Sequence, residues 1–394
     1  MRDKKVLEEG EHKSENNNRN TSLRTPYIYI RHHKKTTITQ KMNISKHIKK
    51  LSLSLITFFV VGLAFTSCDT IFDYEGDCSY SYHVKFKYDM NIKYADAFKN
   101  SVSYVSIYAF DAETGLLVYN ANESGEALKS DDYTMQLEVE PGTYDILAWC
   151  GDAVAENRVI IPEVKIGETK IEEVDCVIDR IIGSGHTSCV VEDLGQLYHG
   201  KTQITLTEEP GKQINELSLT KNSNNIRIIL QHLSGEAVDP EQFQISIHDN
   251  NGSMNYDNTL KGVDSLTYHP WYVVAVDGGV STETDIKYHA QIETRSDKAT
   301  AALAELTIGR LYVESNPILH IYNVDTEKTV LSIPLKDYAL MIKGHYNGQM
   351  SDQEFLDRQD EFNLTFFLDE LGNWVSATVI INSWHLVLNN TGLS

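Results

Sequence analysis

The sequence lacks the short motifs that mark a metal centre or a catalytic site. It has only 5 cysteines among 394 residues, and none has the Cys-x-x-Cys spacing of a zinc or thioredoxin-like site. Its histidines are scattered, with no pair at the spacing of metal ligands. Ser184 stands between two glycines, but without the strand-turn-helix context of a nucleophile elbow. We therefore expect no enzyme activity, no cofactor and no bound metal.

Positive charge is also scarce. The chain has 35 Lys and Arg residues against 56 Asp and Glu residues, a formal net charge of -21. The acidic excess is larger after residue 67, because basic residues predominate before it. An acidic surface repels nucleic acid and anionic lipid headgroups. We expect no nucleic-acid partner and interpret most of the acidity as a solvated surface.

Long apolar runs are missing, with one exception near the start of the chain. Residues 51–65 are apolar, but a helix that crosses a membrane needs about 20 such residues. A basic patch at 46–50 precedes this run, and two small residues separate it from Cys68. This order is typical of a lipoprotein signal peptide. We predict that residues 42–67 are removed and that Cys68 becomes the lipidated N-terminus; the alternative is an ordinary signal peptide with a coincidental cysteine.

The segments on either side of this leader are polar. Residues 1–41 show no periodicity, and Met42 lies just before the basic patch. We therefore expect residues 1–41 to be a non-native N-terminal extension. Residues 68–77 are predicted to form an acidic tether between the lipid and the first domain, and their acidic side chains are Asp69, Asp73, Glu75 and Asp77.

Short segments of alternating polarity fill the rest of the chain. In residues 82–88, apolar side chains alternate with His or Lys, which is the period-two pattern of a half-buried strand. Similar segments recur at 102–110, 133–139, 271–276, 285–292 and 383–388. One short helix is predicted after Ser351, because Glu354 completes a capping box with it.

These elements predict an all-β protein with one or two short helices. Residues 207–213 combine charge, proline and glycine and look like an interdomain joint. We expect two tandem antiparallel β-sandwich domains, formed by residues 78–207 and 214–394.

Four further cysteines allow two disulfides in an exported protein. They are Cys78, Cys150, Cys176 and Cys189. Among the three possible connectivities we favour Cys176–Cys189 with Cys78–Cys150. The alternative is that the thiols are buried and unpaired.

Several segments resemble the FimB-type fimbrial anchor family of Bacteroidetes-type bacteria. The most specific are Asp-Tyr-Glu-Gly-Asp-Cys at 73–78 and Leu-Asp-Arg-Gln-Asp-Glu-Phe at 356–362. The resemblance covers nearly all of the chain after Cys68. It implies paired transthyretin-like sandwiches in a surface-exposed lipoprotein of the outer membrane. It also implies a non-enzymatic role, in which the protein anchors a fimbria and limits its length by binding a shaft subunit through β-strand pairing.

The same resemblance suggests how the shaft subunit is bound. Related shaft subunits open a groove when a protease cuts after an arginine beyond the first strand. Here the first arginine after Cys68 is Arg158, so the first strand is expected to stay in place. The contact would then use an edge or the C-terminal strand, whose candidate contact residues are Trp384, Leu386 and Leu388. The alternative is that this segment is only the last internal strand of the second sandwich.

A surface glycan-binding lipoprotein is the alternative function. Lipid-anchored β-sandwich modules also capture glycans, and they do so with exposed coplanar aromatic rings. The candidate rings in this sequence are Trp271, Trp374 and Trp384.

Overall fold

The computed structural model describes residues 79–276 and 301–387, apart from residues 184, 186 and 347. Within these ranges, no helix is long and apolar enough to cross a membrane. In chain order the strands are β1 (Tyr80–Lys87), β2 (Tyr104–Asp111), β3 (Leu117–Ser124), β4 (Met135–Leu137), β5 (Gly142–Cys150), β6 (Val159–Ile160), β7 (Cys176–Ile178), β8 (Ile181–Ile182), β9 (Ser188–Val190), β10 (Tyr198–Leu206), β11 (Gly211–Ser218), β12 (Thr220–Lys221), β13 (Ser223–His232), β14 (Phe243–Asp249), β15 (Ser253–Met254), β16 (Leu266–Tyr268), β17 (Tyr272–Val276), β18 (Ala301–Gly309), β19 (Ile318–Asn323), β20 (Lys328–Pro334), β21 (Glu361–Leu368), β22 (Trp374–Ile381) and β23 (Trp384–Val387).

Helices are few and short. The α-helices are Phe98–Ser101, Asp152–Ala155, Leu335–Met341 and Asp352–Arg358, and the 3₁₀ turns are Glu126–Lys129, Ile171–Glu173, Pro240–Gln242 and Ile342–Tyr346. The predicted capping box is present, because the Ser351 side chain accepts a hydrogen bond from the Glu354 amide. The prediction of an all-β sandwich protein with few short helices is confirmed.

The first sandwich packs a three-stranded sheet, β11-β1-β4, against a five-stranded sheet, β12-β10-β5-β2-β3. β1 lies in the middle of the smaller sheet, and the alternation predicted from the sequence sets its orientation. Tyr82, Val84 and Phe86 are almost completely buried, while the intervening residues face outward. β1 runs parallel to β11 and antiparallel to β4, so the sheet is not purely antiparallel.

The second sandwich is built from two six-stranded sheets. Their strand orders are β17-β18-β13-β21-β22-β23 and β20-β19-β14-β16-β9-β8. A small third sheet, β15-β7-β6, lies beside them. One continuous cluster of apolar residues fills this part of the molecule.

The domain boundary differs from the predicted one. Residues 207–213 connect β10 to β11, and β11 pairs with β1 in the first sandwich. Conversely, β8 and β9 extend a sheet of the second sandwich, because β9 pairs with β16. The predicted split into 78–207 and 214–394 is therefore wrong in detail. The segment between β5 and β10, which we call the excursion, leaves the first sandwich and supplies strands to the second. β11 and β12 belong to the first sandwich.

The five-stranded sheet is buried on both faces because of this excursion. On one face, Ile107 and Ile146 belong to the core of the first sandwich. On the other face, Phe110 and Trp149 join the apolar cluster of the second. The indole N–H of Trp149 donates to the carbonyl of Val174, in the excursion itself (3.2 Å). The two sandwiches thus share one buried sheet.

Charged and polar groups complete the junction between the sandwiches. Lys221, at the end of the first sandwich, forms an ion pair with Asp360 of the second (2.8 Å), and only 4% of its side chain is exposed. Arg358 donates to the carbonyls of Asp89 and Asn91 in the first sandwich. Its guanidinium also lies 4.2 Å from the ring centre of Tyr94. These contacts come from the 356–362 segment that the sequence singled out.

The predicted disulfide between Cys176 and Cys189 is wrong. Both residues are free thiols on strands of different sheets, since β7 pairs with β15 and β9 pairs with β16. Cys150 is also a free thiol, and its burial raises its pKa to about 12. Its predicted partner, Cys78, lies outside the described residues, as does the strand predicted at 285–292.

Removing the charge of Asp360 should weaken the junction. The substitution Asp360→Asn leaves the buried ammonium of Lys221 without an anion, which should lower the free energy of unfolding by about 3 kcal/mol. Asp131→Asn is the matched control, because Asp131 forms an exposed ion pair with Lys99 and should cost less than about 1 kcal/mol. Urea denaturation measures both values; equal effects would contradict a structural role for the buried pair.

Acid should destabilise the junction through His199. Its Nε2–H donates to the carbonyl of Tyr256 (2.8 Å), and its pKa is lowered to about 4, mainly by burial and further by Arg310. The unfolded chain therefore binds a proton more readily, so stability present above pH ~6.5 is lost as the pH falls towards 4, by up to about 3 kcal/mol. His199→Gln keeps a donor and should flatten this pH dependence between pH 7 and pH 4 in thermal unfolding. An unchanged profile would contradict the prediction.

Candidate subunit-docking site

The candidate site is the C-terminal hairpin formed by β22 and β23. Its two turn residues, Asn382 and Ser383, have φ values of 46° and 70°, as the tight turn of a two-residue hairpin requires. Asn382 fixes the turn to β21. Its side-chain amide donates to the carbonyl of Glu361 (2.8 Å), and its side-chain oxygen accepts from the amide of Asn363 (2.7 Å).

The three candidate contact residues do not share one environment. Trp384 pairs with Ile381 and is 56% exposed. Leu386 pairs with Val379 and packs against the core of the second sandwich. Leu388 lies outside the described residues. The structure therefore brings Trp384 and Leu386 onto one face of β23, but leaves only Trp384 largely free.

β23 is an edge strand. It pairs with β22 on one side, and within the described residues no strand pairs with its other side. An unpaired edge presents backbone N–H and C=O groups that can accept another strand. The alternative interpretation was that this segment is only the last internal strand of the second sandwich. The segment does pair with β22 of its own chain, but it lies at the edge of the sheet. The geometry allows both an internal role and a contact with a partner.

The first strand lies in the middle of its sheet and is paired on both sides. β1 pairs with β11 along its whole length and with β4 over three residues. The hydroxyl of Tyr82 also donates to the carbonyl of Thr207 (2.8 Å). With β1 present, the smaller sheet of the first sandwich has no vacant central position.

The two ends of the described chain lie at opposite ends of the structure. β1 begins at Tyr80 and ends near the junction, where Tyr88 contacts Asp360. The β22–β23 turn lies at the junction end of the second sandwich, next to Glu361. β23 therefore runs away from the junction, and the chain leaves Val387 on the side remote from Tyr80.

The three tryptophans proposed as a glycan platform are not coplanar. Trp271 precedes β17, and Trp384 begins β23, at opposite edges of one sheet. Trp374 packs edge-on against Phe366, with ring centres 5.8 Å apart and an interplanar angle of 85°. That part of the glycan hypothesis is contradicted.

Sequence reasoning missed two features of this region. Trp271 lies beside Tyr272, with ring centres 6.0 Å apart, and both rings are partly exposed. The signal was available, because two aromatic residues open the predicted strand at 271–276. The role of Arg358 at the junction was also missed, although its motif was noticed. Among the described residues, no group of three or more His, Cys, Asp or Glu side chains is placed to hold a metal ion.

Comparisons with known proteins point to one family. The family of fimbrillin-A associated anchor proteins Mfa1 and Mfa2 matches residues 74–390. The minor fimbrium anchoring subunit Mfa2 of Porphyromonas gingivalis is 26% identical over 236 residues, which cover 58% of this chain and 69% of that protein.

Solved structures agree on the fold. A Bacteroides thetaiotaomicron protein proposed to bind polysaccharides is 25% identical, with a TM-score of 0.66 over 79% of this chain and 99% of its own. The fimbrial anchor protein Mfa2 from Porphyromonas gingivalis is 18% identical, with a TM-score of 0.58 over 79% of this chain and 99% of its own.

Alanine substitutions should separate the structural and exposed residues of β23. Leu386→Ala removes a side chain that packs on the core and should lower the free energy of unfolding by about 1–2 kcal/mol. Trp384→Ala removes a largely exposed ring and should change it by less than about 0.5 kcal/mol. Chemical denaturation measures both. A larger loss for Trp384→Ala would show that this ring is structural and not free to contact a partner.

Proposed function

This chain belongs to the family of fimbrillin-A associated anchor proteins Mfa1 and Mfa2, and from that premise we propose that it is an outer-membrane lipoprotein that anchors a fimbria and limits its length. Membership of the family carries a fimbrial anchoring role at the cell surface. The lipid attachment, the control of length and the mode of contact with the shaft are the proposed parts.

The observation that carries the proposal is the placement of the two chain ends. β1 begins at Tyr80, at the end of the first sandwich that is remote from the junction. The C-terminal strand β23 begins at the junction end of the second sandwich and runs away from the junction, towards Val387. A lipid would be attached shortly before Tyr80, and a subunit would be bound near or beyond Val387. Tension between them would then act along the length of the protein.

Attachment to the membrane is assigned to Cys68. A single acyl chain of myristate size binds a bilayer only weakly, at about 10⁴ M⁻¹, whereas several chains hold a protein stably. A diacylglycerol on the thiol would therefore provide a lasting anchor. Residues 68–77 would serve as an acidic tether that keeps the first sandwich clear of the headgroups.

Contact with the shaft subunit is assigned to the C-terminal strand. β1 occupies the centre of its sheet, so the first sandwich offers no vacant groove to an incoming strand. β23 has an open edge, and Trp384 on it is largely exposed. Main-chain hydrogen bonds from this segment would give affinity, and Trp384, with Leu388 beyond it, would fill pockets on the partner, whereas Leu386 would hold the strand on its own core. A subunit that offers a strand but no groove ends the polymer on that side.

A surface glycan-binding lipoprotein is the second candidate. It is favoured by the similar Bacteroides thetaiotaomicron protein that is proposed to bind polysaccharides, and by the exposed Trp271–Tyr272 pair. The gene neighbourhood distinguishes the two functions. Adjacent genes for shaft and tip subunits would support the anchor, whereas genes for a porin-type transporter and glycosidases would support glycan capture.

Replacing Cys68 tests the membrane anchor. Cys68→Ala removes the thiol that would carry the lipid, so the protein should be released or accumulate as an uncleaved precursor. Fractionation of cells followed by mass spectrometry of the N-terminus measures both outcomes. The matched control is Cys150→Ala, which changes a buried thiol outside the leader. A Cys68→Ala protein that is processed and still found in the outer membrane would contradict the proposal.

Truncation after Ser383 tests the contact with the shaft. The shortened protein lacks β23 and should no longer hold fimbriae, so cells should shed them or carry longer ones, as expected after deletion of the whole gene. Electron microscopy of the cells measures number and length. The control is Tyr272→Ala, at the opposite edge of the same sheet. If the truncated protein reaches the surface and holds fimbriae of normal length, docking lies elsewhere.

A further inference from the structure

An open groove lies at the end of the first sandwich where the described chain begins. β4 ends at Leu137, after pairing with β1 over Tyr82–Val84. Residues 138–140 then leave the sheet, while β1 continues back to Tyr80. The space between them has a volume of about 560 Å³, within the roughly 300–1,000 Å³ typical of small-ligand sites. We name it the tyrosine groove; its lining includes Tyr80, Tyr82, Tyr144, Glu138 and Glu140.

The tyrosines of the groove are held in fixed positions. Tyr80 stacks on Tyr82, with ring centres 5.3 Å apart and an interplanar angle of 28°. Tyr82 is itself buried and bonded through its hydroxyl to Thr207. On the other wall, the hydroxyl of Tyr144 donates to the carbonyl of Glu140 (2.7 Å). Tyr80 is 39% exposed, so one aromatic surface is supported from behind and open in front.

The acidic side chains of the groove have no hydrogen-bonding or ionic partner within the described part of the chain. Glu138 and Glu140 are exposed, and their side chains make no hydrogen bond or ion pair with another described residue. No Lys or Arg lines the groove. Two carboxylates without a cation repel an anionic ligand, but they accept hydrogen bonds strongly from hydroxyl or ammonium groups.

Other classes of ligand fit the groove less well. A peptide strand would need a row of free backbone groups, but on the β4 side only Tyr80 and Ser81 of β1 lie beyond the pairing with β4. That is shorter than a normal strand. A lipid chain would have to cover two carboxylates, which is costly. A sugar ring has an apolar C–H face for an aromatic ring and hydroxyl groups for carboxylates and amides.

We propose that the tyrosine groove binds a short oligosaccharide of neutral or amino sugars. The open face of Tyr80 stacks on a sugar ring, and Glu138 and Glu140 bind its hydroxyl or amino groups. This site is separate from the three tryptophans of the earlier glycan hypothesis. It is also separate from the proposed contact with a shaft subunit, because it lies at the end of the first sandwich remote from the junction, whereas β23 belongs to the second sandwich.

Binding to defined oligosaccharides tests the proposal. The full-length protein, purified in detergent, is applied to an array of neutral, amino and anionic oligosaccharides. The strongest ligand is then titrated by isothermal calorimetry. Neutral or amino sugars should bind and sulfated or uronic sugars should not. Tyr80→Ala should weaken binding about tenfold or more, and Glu138→Gln should also weaken it, whereas Tyr80→Phe should retain it.

Two controls keep this test decisive. Tyr272→Ala removes an exposed tyrosine far from the groove and should bind as the unchanged protein does. Thermal unfolding of Tyr80→Ala should match that of the unchanged protein, because the ring is partly exposed. The proposal is overturned if no oligosaccharide on the array binds, if only anionic sugars bind, or if both Tyr80→Ala and Glu138→Gln bind as tightly as the unchanged chain. None of these outcomes depends on the fimbrial role.

Discussion

The buried ion pair between Lys221 and Asp360 is the interaction on which the arrangement of the two sandwiches depends. Lys221 belongs to a strand of the first sandwich and is almost completely buried, whereas Asp360 belongs to the second. While the sandwiches are packed together, each charge depends on the other, because removal of one partner would leave a buried charge uncompensated at a cost of several kcal/mol. Arg358 acts in the same direction, because its guanidinium donates to first-sandwich carbonyls that would otherwise lose a partner. The ion pair and these hydrogen bonds each require a defined geometry, so they fix the orientation of the two sandwiches as well as the distance between them.

The path of the chain strengthens this junction. β11, β12 and β13 follow one another from residue 211 to residue 232 with few intervening residues, a contour length of about 70 Å at 3.3 Å per residue. β11 is bonded to β1 in the first sandwich and β13 to β18 in the second. The excursion that carries β6 to β9 leaves the first sandwich after β5, returns to it at β10, and buries the outer face of the five-stranded sheet. Three passages of the chain between the sandwiches resist bending far better than one flexible linker.

A rigid connection of this kind suits a protein that carries load between its ends. The described chain begins at one end and its last strand leaves at the other, so tension applied at both would pull along the paired strands. The outer edge of β23, which runs from the junction end of the second sandwich towards Val387, is unpaired in the described structure. The tyrosine groove lies at the end of the first sandwich remote from the junction, so binding there would not compete with a contact at β23.

The sequence alone determined the local features of this protein. Alternation in residues 82–88 placed Tyr82, Val84 and Phe86 in a core, and Ser351 with Glu354 marked a helix start, because period two and capping chemistry depend only on neighbouring residues. The order of residues before Cys68 predicted a lipoprotein, and the 356–362 motif led to the correct family. Only the tertiary structure decided which strands pair, where the sandwiches divide, that Cys176 and Cys189 stay apart, and that Leu386 is packed while Trp384 is free. These outcomes depend on contacts between residues far apart in the chain, and a local pattern shows that a residue is buried without showing which strand buries it.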